Sequence, residues 1–153
     1  MDIKYMNVAI EEAKKAEKKD EVPVGAVIVS GGKIIARAHN MVEKKQNPLC
    51  HAEILAIKKA CKKKKSWRLD DAEIYVTLEP CPMCAGAIVN ARIKQVFFGA
   101  YESKSGCAES KYPILTDNGL NHKTAFCGGI KREECEEIIK KYFKSKRLRK
   151  NLD

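Results

Sequence analysis

AEIYVTLEPCPMCAGAIVNA, residues 72–91, is the stretch that decides how this chain folds. Ala72 to Leu78 is rich in β-branched and aromatic types and reads as a strand. Pro82 to Ala91 reads as a helix with proline in its first turn, where a missing amide donor costs nothing. Between them, Pro80-Cys81-Pro82-Met83-Cys84 sets two cysteines three apart on a helix start, so both sulfurs can face one side. The amides there favour thiolate over thiol.

The same alternation extends outward. Val22 to Val29 (VPVGAVIV) is a short β-branched run, Gly31-Gly32 marks a turn, and Lys33 to Ala38 (KIIARA) reads as the antiparallel mate. Residues 3–18 place Ile3, Met6, Ala9, Ile10, Ala13 and Ala16 at helical spacing. Asn40 to Pro48 is polar and reads as a loop. His51 to Cys61 (HAEILAIKKAC) has a helical pattern that Lys62 to Lys65 carries into solvent. Downstream, Lys94 to Phe98 reads as a strand, 99–122 as irregular, Lys123 to Cys127 as a short edge strand, and Lys131 to Arg149 as a long basic helix. Strands alternating with helices predict an α/β fold: one mixed sheet of about five strands covered on both faces. No linker or repeat divides the chain, so 1–153 is expected to be one domain.

Composition narrows the function classes. A net charge of +10 over 153 residues favours an anionic partner, most simply nucleic acid. No run of apolar residues is long enough to cross a bilayer, and the charged N-terminus has no apolar leader core. The expectation is a cytoplasmic protein without membrane partners. The seven cysteines, an odd number, then point to metal or catalytic work rather than a disulfide framework.

His51-Ala52-Glu53 supplies what the cysteine pair lacks. Two thiolates and one imidazole make a sound zinc triad with a fourth position open, and sulfur-rich donors disfavour magnesium or calcium. Both segments open helices at what is expected to be one sheet edge, where they can converge. Glu53 beside the triad suits a general acid–base that moves protons between a metal-activated water and a substrate. One detail resists: on a regular helix Glu53 would lie about 200° round from His51. Two plainer readings stand beside this one. CxxC can be a redox dithiol, or half of a closed structural site completed by Cys50, Cys61, Cys107, Cys127 or Cys135.

HAE with PCPMC is the signature of the cytidine and nucleotide deaminase superfamily. Around it the chain resembles the bacterial tRNA-specific adenosine deaminases. VPVGAV at 22–27, His39-Asn40, HAEILAI at 51–57, TLEPCPMCAGAI at 77–88, NARI at 90–93, FGA at 98–100 and Leu120-Asn121-His122 carry the likeness. The resemblance implies a three-layer α/β/α cytidine-deaminase-like fold and one zinc per subunit on His51, Cys81 and Cys84. Glu53 becomes the proton shuttle, and Asn40 and the Ala52 amide position the base. It further implies adenosine-to-inosine conversion at the wobble position of an arginine tRNA, read from the anticodon stem-loop by a homodimer. Gly86, Ala87, Ile88, Ala91 and Ile93 are expected at the dimer surface, and Lys140, Lys141, Lys144, Lys146, Arg147, Arg149 and Lys150 at phosphates. Glu102, near the flanking nucleotides, stands where the family usually has Asp, and Cys50 where it has a small residue. The alternative is a deaminase of a free base or nucleotide such as guanine or cytosine.

Overall fold

A run buried on both faces makes a central strand, and β1 (Gly25–Ser30) is buried at every position. The computed structural model describes residues 1–152. Helix α1 (Ile3–Lys18) precedes β1; β2 (Lys33–His39), α2 (Val42–Lys45), α3 (Ala52–Lys64), β3 (Ala72–Leu78) and α4 (Pro82–Asn90) follow it. The order ends with β4 (Gln95–Ala100), β5 (Ala125–Cys127) and α5 (Arg132–Leu152). The five strands form one mixed sheet in the order β2-β1-β3-β4-β5. β1 is antiparallel to β2 and β3, whereas β3, β4 and β5 run parallel. Gly31 and Gly32, with φ 57° and 73°, make the two-residue β1–β2 turn, which needs positive φ at both positions.

Period-two alternation sorts the core into two layers. Ala26 and Ile28, Ile74 and Val76, Val96 and Phe98 join Ala52, Ala56, Ala85 and Ile88 of α3 and α4 in one cluster. Val27, Val29, Tyr75 and Phe97 point the other way, into Met6, Ala9 and Ile10 of α1 and Ile138 of α5. The result is the expected α/β/α sandwich. A Cβ at Gly25 would overlap the Ala9 carbonyl, so only glycine lets α1 lie this close to the sheet. Buried Glu12 ties α1 to β2 through Arg37 and His39. Burial alone would raise its carboxyl, but hydrogen bonds from Lys15, His39 and Arg37 outweigh this and hold it at about 2.

Several local expectations need correction. The segment 40–48 is not all loop, because α2 forms within it. The buried carboxylate of Glu21 accepts the amides of Glu43 (2.9 Å) and Lys44 (2.8 Å) at the start of α2. That cap comes from more than twenty residues upstream, where local pattern cannot see it. β1 starts at Gly25 because Val24 turns back onto the Val22 carbonyl. Ile88, Ala91 and Ile93 are at most 5% exposed and belong to the chain's own core, not a surface. Of that set only Gly86 and Ala87 remain half-buried on the outer side of α4. The α5 cations are not all free: Lys141 faces Glu17, while Lys146 and Arg149 face Asp20. Among the described residues no helix is long and apolar enough to cross a membrane.

Candidate metal centre and substrate cavity

The sheet register brings the functional segments to one edge. Gly25 pairs with His39, Ala26 with Val76, and Leu78 with Ala100. Val24 before β1, Asn40 after β2, Glu79 after β3 and Tyr101 after β4 therefore emerge together. The starts of α3 and α4 close on the same edge.

Each helix begins on a metal-ligand candidate. His51 is the N-cap of α3 (φ −71°, ψ 154°) and Cys81 that of α4 (φ −76°, ψ 173°). Both are extended, and neither side chain makes a capping hydrogen bond, so imidazole and sulfur are free to turn outward. This removes the angular difficulty with Glu53, because His51 stands ahead of the helix and Glu53 within it. The Cys81 and Cys84 sulfurs lie 3.5 and 3.6 Å from His51 Nδ1. All three donor atoms fall within 4.8 Å of one another. Tetrahedral zinc with ordinary Zn–S and Zn–N bonds sets sulfur and nitrogen about 3.6 Å apart. The donor set and its spacing thus fit zinc.

Among the described residues no fourth His, Cys, Asp or Glu joins this cluster. Cys61 turns toward the Trp67 carbonyl, Cys107 toward that of Ser105 and Cys135 toward that of Ile130; Cys127 is exposed. A closed structural site therefore lacks its completing ligand.

The electrostatics are those of a coupled centre. A hydrogen bond from Cys84, aided by His51 and opposed by burial, brings the Cys81 thiol down to about 4. Cys84 is pushed far up by the same bond and by burial, so without metal one proton stays between the two sulfurs. The bond to Cys81 raises His51. Glu53 is 4% exposed, and burial, reinforced by the Cys81 charge, pushes its carboxyl up to about 7.

A cavity of about 420 Å³ opens over the cluster. Asn40, His51, Ala52, Glu53 and Cys81 line it together. Asn40 is buried, its amide held between the Val22 carbonyl (3.3 Å) and the Val42 amide (3.4 Å). Glu102 does not line the cavity; its carboxylate accepts the Lys104 amide just outside.

Sequence reasoning passes over three further contributors. Glu79 is buried beside the metal segment and accepts the amides of Glu102, Ala108, Glu109 and Ser110. It thereby folds the loop after β4 against Pro80, whose carbonyl takes the Cys107 amide. The only sequence signal is an acid between an apolar strand and the cysteine pair. Glu79→Ala strands four amide donors, at roughly 1–3 kcal/mol for each that water cannot reach. At least ~2 kcal/mol of stability should go, with faster amide exchange across 102–110. A melting temperature within 2 °C, roughly, of the parent would show that water replaces the carboxylate. The second contributor is the part of α5 that the sequence marked only for its cations: it brings Tyr142 and Phe143, beside Lys146, to the cavity wall. The third is Asp20, whose carboxylate meets Arg149 at 2.9 Å and whose carbonyl accepts the Tyr142 hydroxyl at 3.3 Å, clasping α5 in place.

Comparison with known proteins agrees with this geometry. The family model for MafB19-like deaminases matches residues 2–147. A tRNA-specific adenosine deaminase of Bacillus subtilis (strain 168) is 50% identical over 97% of this chain and 95% of its own length. A solved structure from work on A-to-I editing by tRNA:A34 deaminases superposes with a TM-score of 0.86 at 40% identity, over 88% of this chain and 98% of that one. A guanine deaminase structure from Bacillus subtilis matches at 43% identity with a TM-score of 0.62, over 64% of this chain and 63% of that one. On the family match and the full-length identity, the chain belongs to the bacterial tRNA-specific adenosine deaminases of the cytidine and nucleotide deaminase superfamily.

Proposed function

We propose that this chain, a single deaminase domain over residues 1–153, hydrolyses adenosine to inosine at the wobble position of a tRNA. The observation that carries the reading is the His51–Cys81–Cys84 cluster at the wall of a cavity that buried Glu53 also lines, in a chain 50% identical to a tRNA-specific adenosine deaminase. His51, Cys81 and Cys84 would hold one zinc ion per subunit. When bound, zinc acidifies a water and makes it nucleophilic at neutral pH.

The chain's own groups do the rest. Adenosine and water give inosine and ammonia. Glu53 takes a proton from the attacking water, hands it to the purine ring nitrogen, and returns the next one to the leaving amine. A carboxyl near 7 is matched to both directions of that traffic. Ala52 is the first residue of α3, so its amide has no helical partner and is free for the base. Asn40, offering both donor and acceptor, suits the purine's five-membered ring. Glu102, outside the cavity lining, would meet nucleotides flanking the target.

The partner in this reading is the anticodon stem-loop of an arginine tRNA, bound by a cytoplasmic homodimer. With Ile88, Ala91 and Ile93 in the core, the second subunit is left the outer side of α4, where Met83, Gly86 and Ala87 are half-buried. A loop adenine suits the site because little pairing is lost when it flips.

A second reading, deamination of a free base, is favoured by the way α5 closes the cavity wall with Tyr142 and Phe143. One experiment separates the two. Zinc-loaded protein is incubated with an arginine tRNA carrying adenosine at the wobble position, and separately with adenosine, guanine and cytosine. Nuclease digestion and mass spectrometry should find inosine at that one position, with free adenosine a very poor substrate. Affinity for the tRNA should fall steeply with salt, as counterion release demands. An unmodified tRNA together with ammonia from a free base would overturn the tRNA reading.

A further inference from the structure

Helix α3 starts at the metal cluster and ends, 13 residues on, in the run Lys62-Lys63-Lys64-Lys65-Ser66-Trp67-Arg68. At 1.5 Å per residue the two ends are about 20 Å apart, with the far end on the opposite edge of the sheet. Lys58 and Lys62 are one turn apart on the outer side, and Lys65 closes the helix one turn further with φ 54°. Lys58, Lys62, Lys63 and Lys65 are exposed, and none takes part in an ion pair among the described residues. Five of the eight α5 cations differ: Arg132, Lys140, Lys141, Lys146 and Arg149 all face acids. A stripe of unpaired positive charge therefore runs along α3.

This stripe ends on an aromatic ring. Trp67 is 59% exposed. The guanidinium groups of Arg68 and Arg92 lie 5.3 and 5.9 Å from its ring. Arg68 is itself held two-pronged by Asp70, at 3.0 and 3.1 Å. The ring is thus steadied by two cations while more than half of the residue meets water. Unpaired cations leading to an exposed, steadied aromatic are the chemistry that tracks phosphates and stacks an unpaired base.

We propose that the outer side of α3, from Lys58 to Trp67, is a second RNA-docking surface that holds the tRNA outside its anticodon loop. The proposal rests on the tRNA reading above. A ligand touching both the cavity and Trp67 must extend over about 20 Å, more than one flipped nucleotide and its neighbours can cover. A lipid surface fits less well. The inner face of α3 (Ala52, Ala56, Ala60) is fully buried in the core, which leaves one tryptophan and no apolar face to insert.

The test compares full-length tRNA with the isolated anticodon stem-loop of the same sequence. Three zinc-loaded proteins are used: the parent, a triple variant (Lys58→Gln, Lys62→Gln, Lys65→Asn) and Trp67→Ala. All altered side chains are exposed, so melting temperatures should hold, and Asn tolerates the left-handed backbone at 65. The parent should bind full-length tRNA on the order of tenfold tighter than the stem-loop. Each variant should lose about that factor on full-length tRNA and nothing on the stem-loop. In the triple variant the slope of log affinity against log salt should shrink by about 2, at roughly 0.7–0.9 for each phosphate no longer neutralised. A control triple on exposed lysines elsewhere (Lys14→Gln, Lys18→Gln, Lys33→Gln) should leave the difference between the two RNAs intact.

Equal parent affinity for both RNAs, or equal losses on both in the α3 variants, overturns the proposal. So does a Trp67→Ala variant that keeps tRNA affinity but loses binding to phosphatidylserine vesicles, which would assign the patch to lipid. Inosine formation on the isolated stem-loop reads the substrate alone. If the parent modifies neither full-length tRNA nor the stem-loop, the tRNA reading itself fails. If the stem-loop is modified while full-length tRNA binds no tighter, only the α3 surface fails.

Discussion

Glu53→Ala protein should retain its zinc and its fold while turnover falls by at least the ~10²–10⁴ typical of a lost general acid–base group. The separation follows from position. Glu53 is the second residue of α3, whereas the metal-ligand candidate His51 stands outside the helix as its cap. Removing a carboxyl that is 4% exposed also removes a desolvation cost, so the melting temperature should stay level or rise. Elemental analysis, thermal unfolding and single-turnover inosine formation would be measured on one preparation. Near-parental turnover in the zinc-loaded variant would strip Glu53 of the shuttle role. Loss of zinc would instead make it a ligand.

Cys81→Ala and Cys84→Ala should each abolish stable zinc retention, and with it turnover. Among the described residues three protein donors form the cluster, so losing one leaves too few to hold the ion firmly. The expected loss of affinity exceeds the 10–100-fold typical of a group that merely supports a ligand. Because bound metal stabilises the folded state, the parent's melting temperature should fall on chelation, while the variants should already melt at a lower, chelator-insensitive temperature. Cys84 is fully buried in α4 and Cys81 half-buried at its cap, so the packing loss at residue 84 should be the greater. Full zinc content in both variants would overturn the metal assignment.

The α/β class and the clustering of the candidate site residues were legible for a common reason. Each depends on short local patterns: apolar β-branched runs at 22–29 and 72–78, the glycine turn at 31–32, and two helix starts carrying His51 and Cys81. Local backbone physics sets all of these. What misled was also local. Ile88, Ala91 and Ile93 look like a small apolar surface, but whether such a face meets its own sheet or another subunit depends on strand order. The seven lysines and arginines between Lys140 and Lys150 on α5 look equally free in the sequence. Asp20 and Glu17 engage three of them only because α1 and α5 share one face of the sheet.

By itself, then, the sequence determined the element types, the zinc-type donor set and the acid beside it. These are matters of residue chemistry and near-neighbour spacing. Only the tertiary structure decided how far Glu53 is buried, that α2 exists, that Glu79 anchors the loop at 102–110, and which cations remain unpaired. Most of these are set by groups twenty or more residues apart in the chain. Desolvation, distant capping and ion pairing act through space, and the sheet order β2-β1-β3-β4-β5 is what brings those groups within reach.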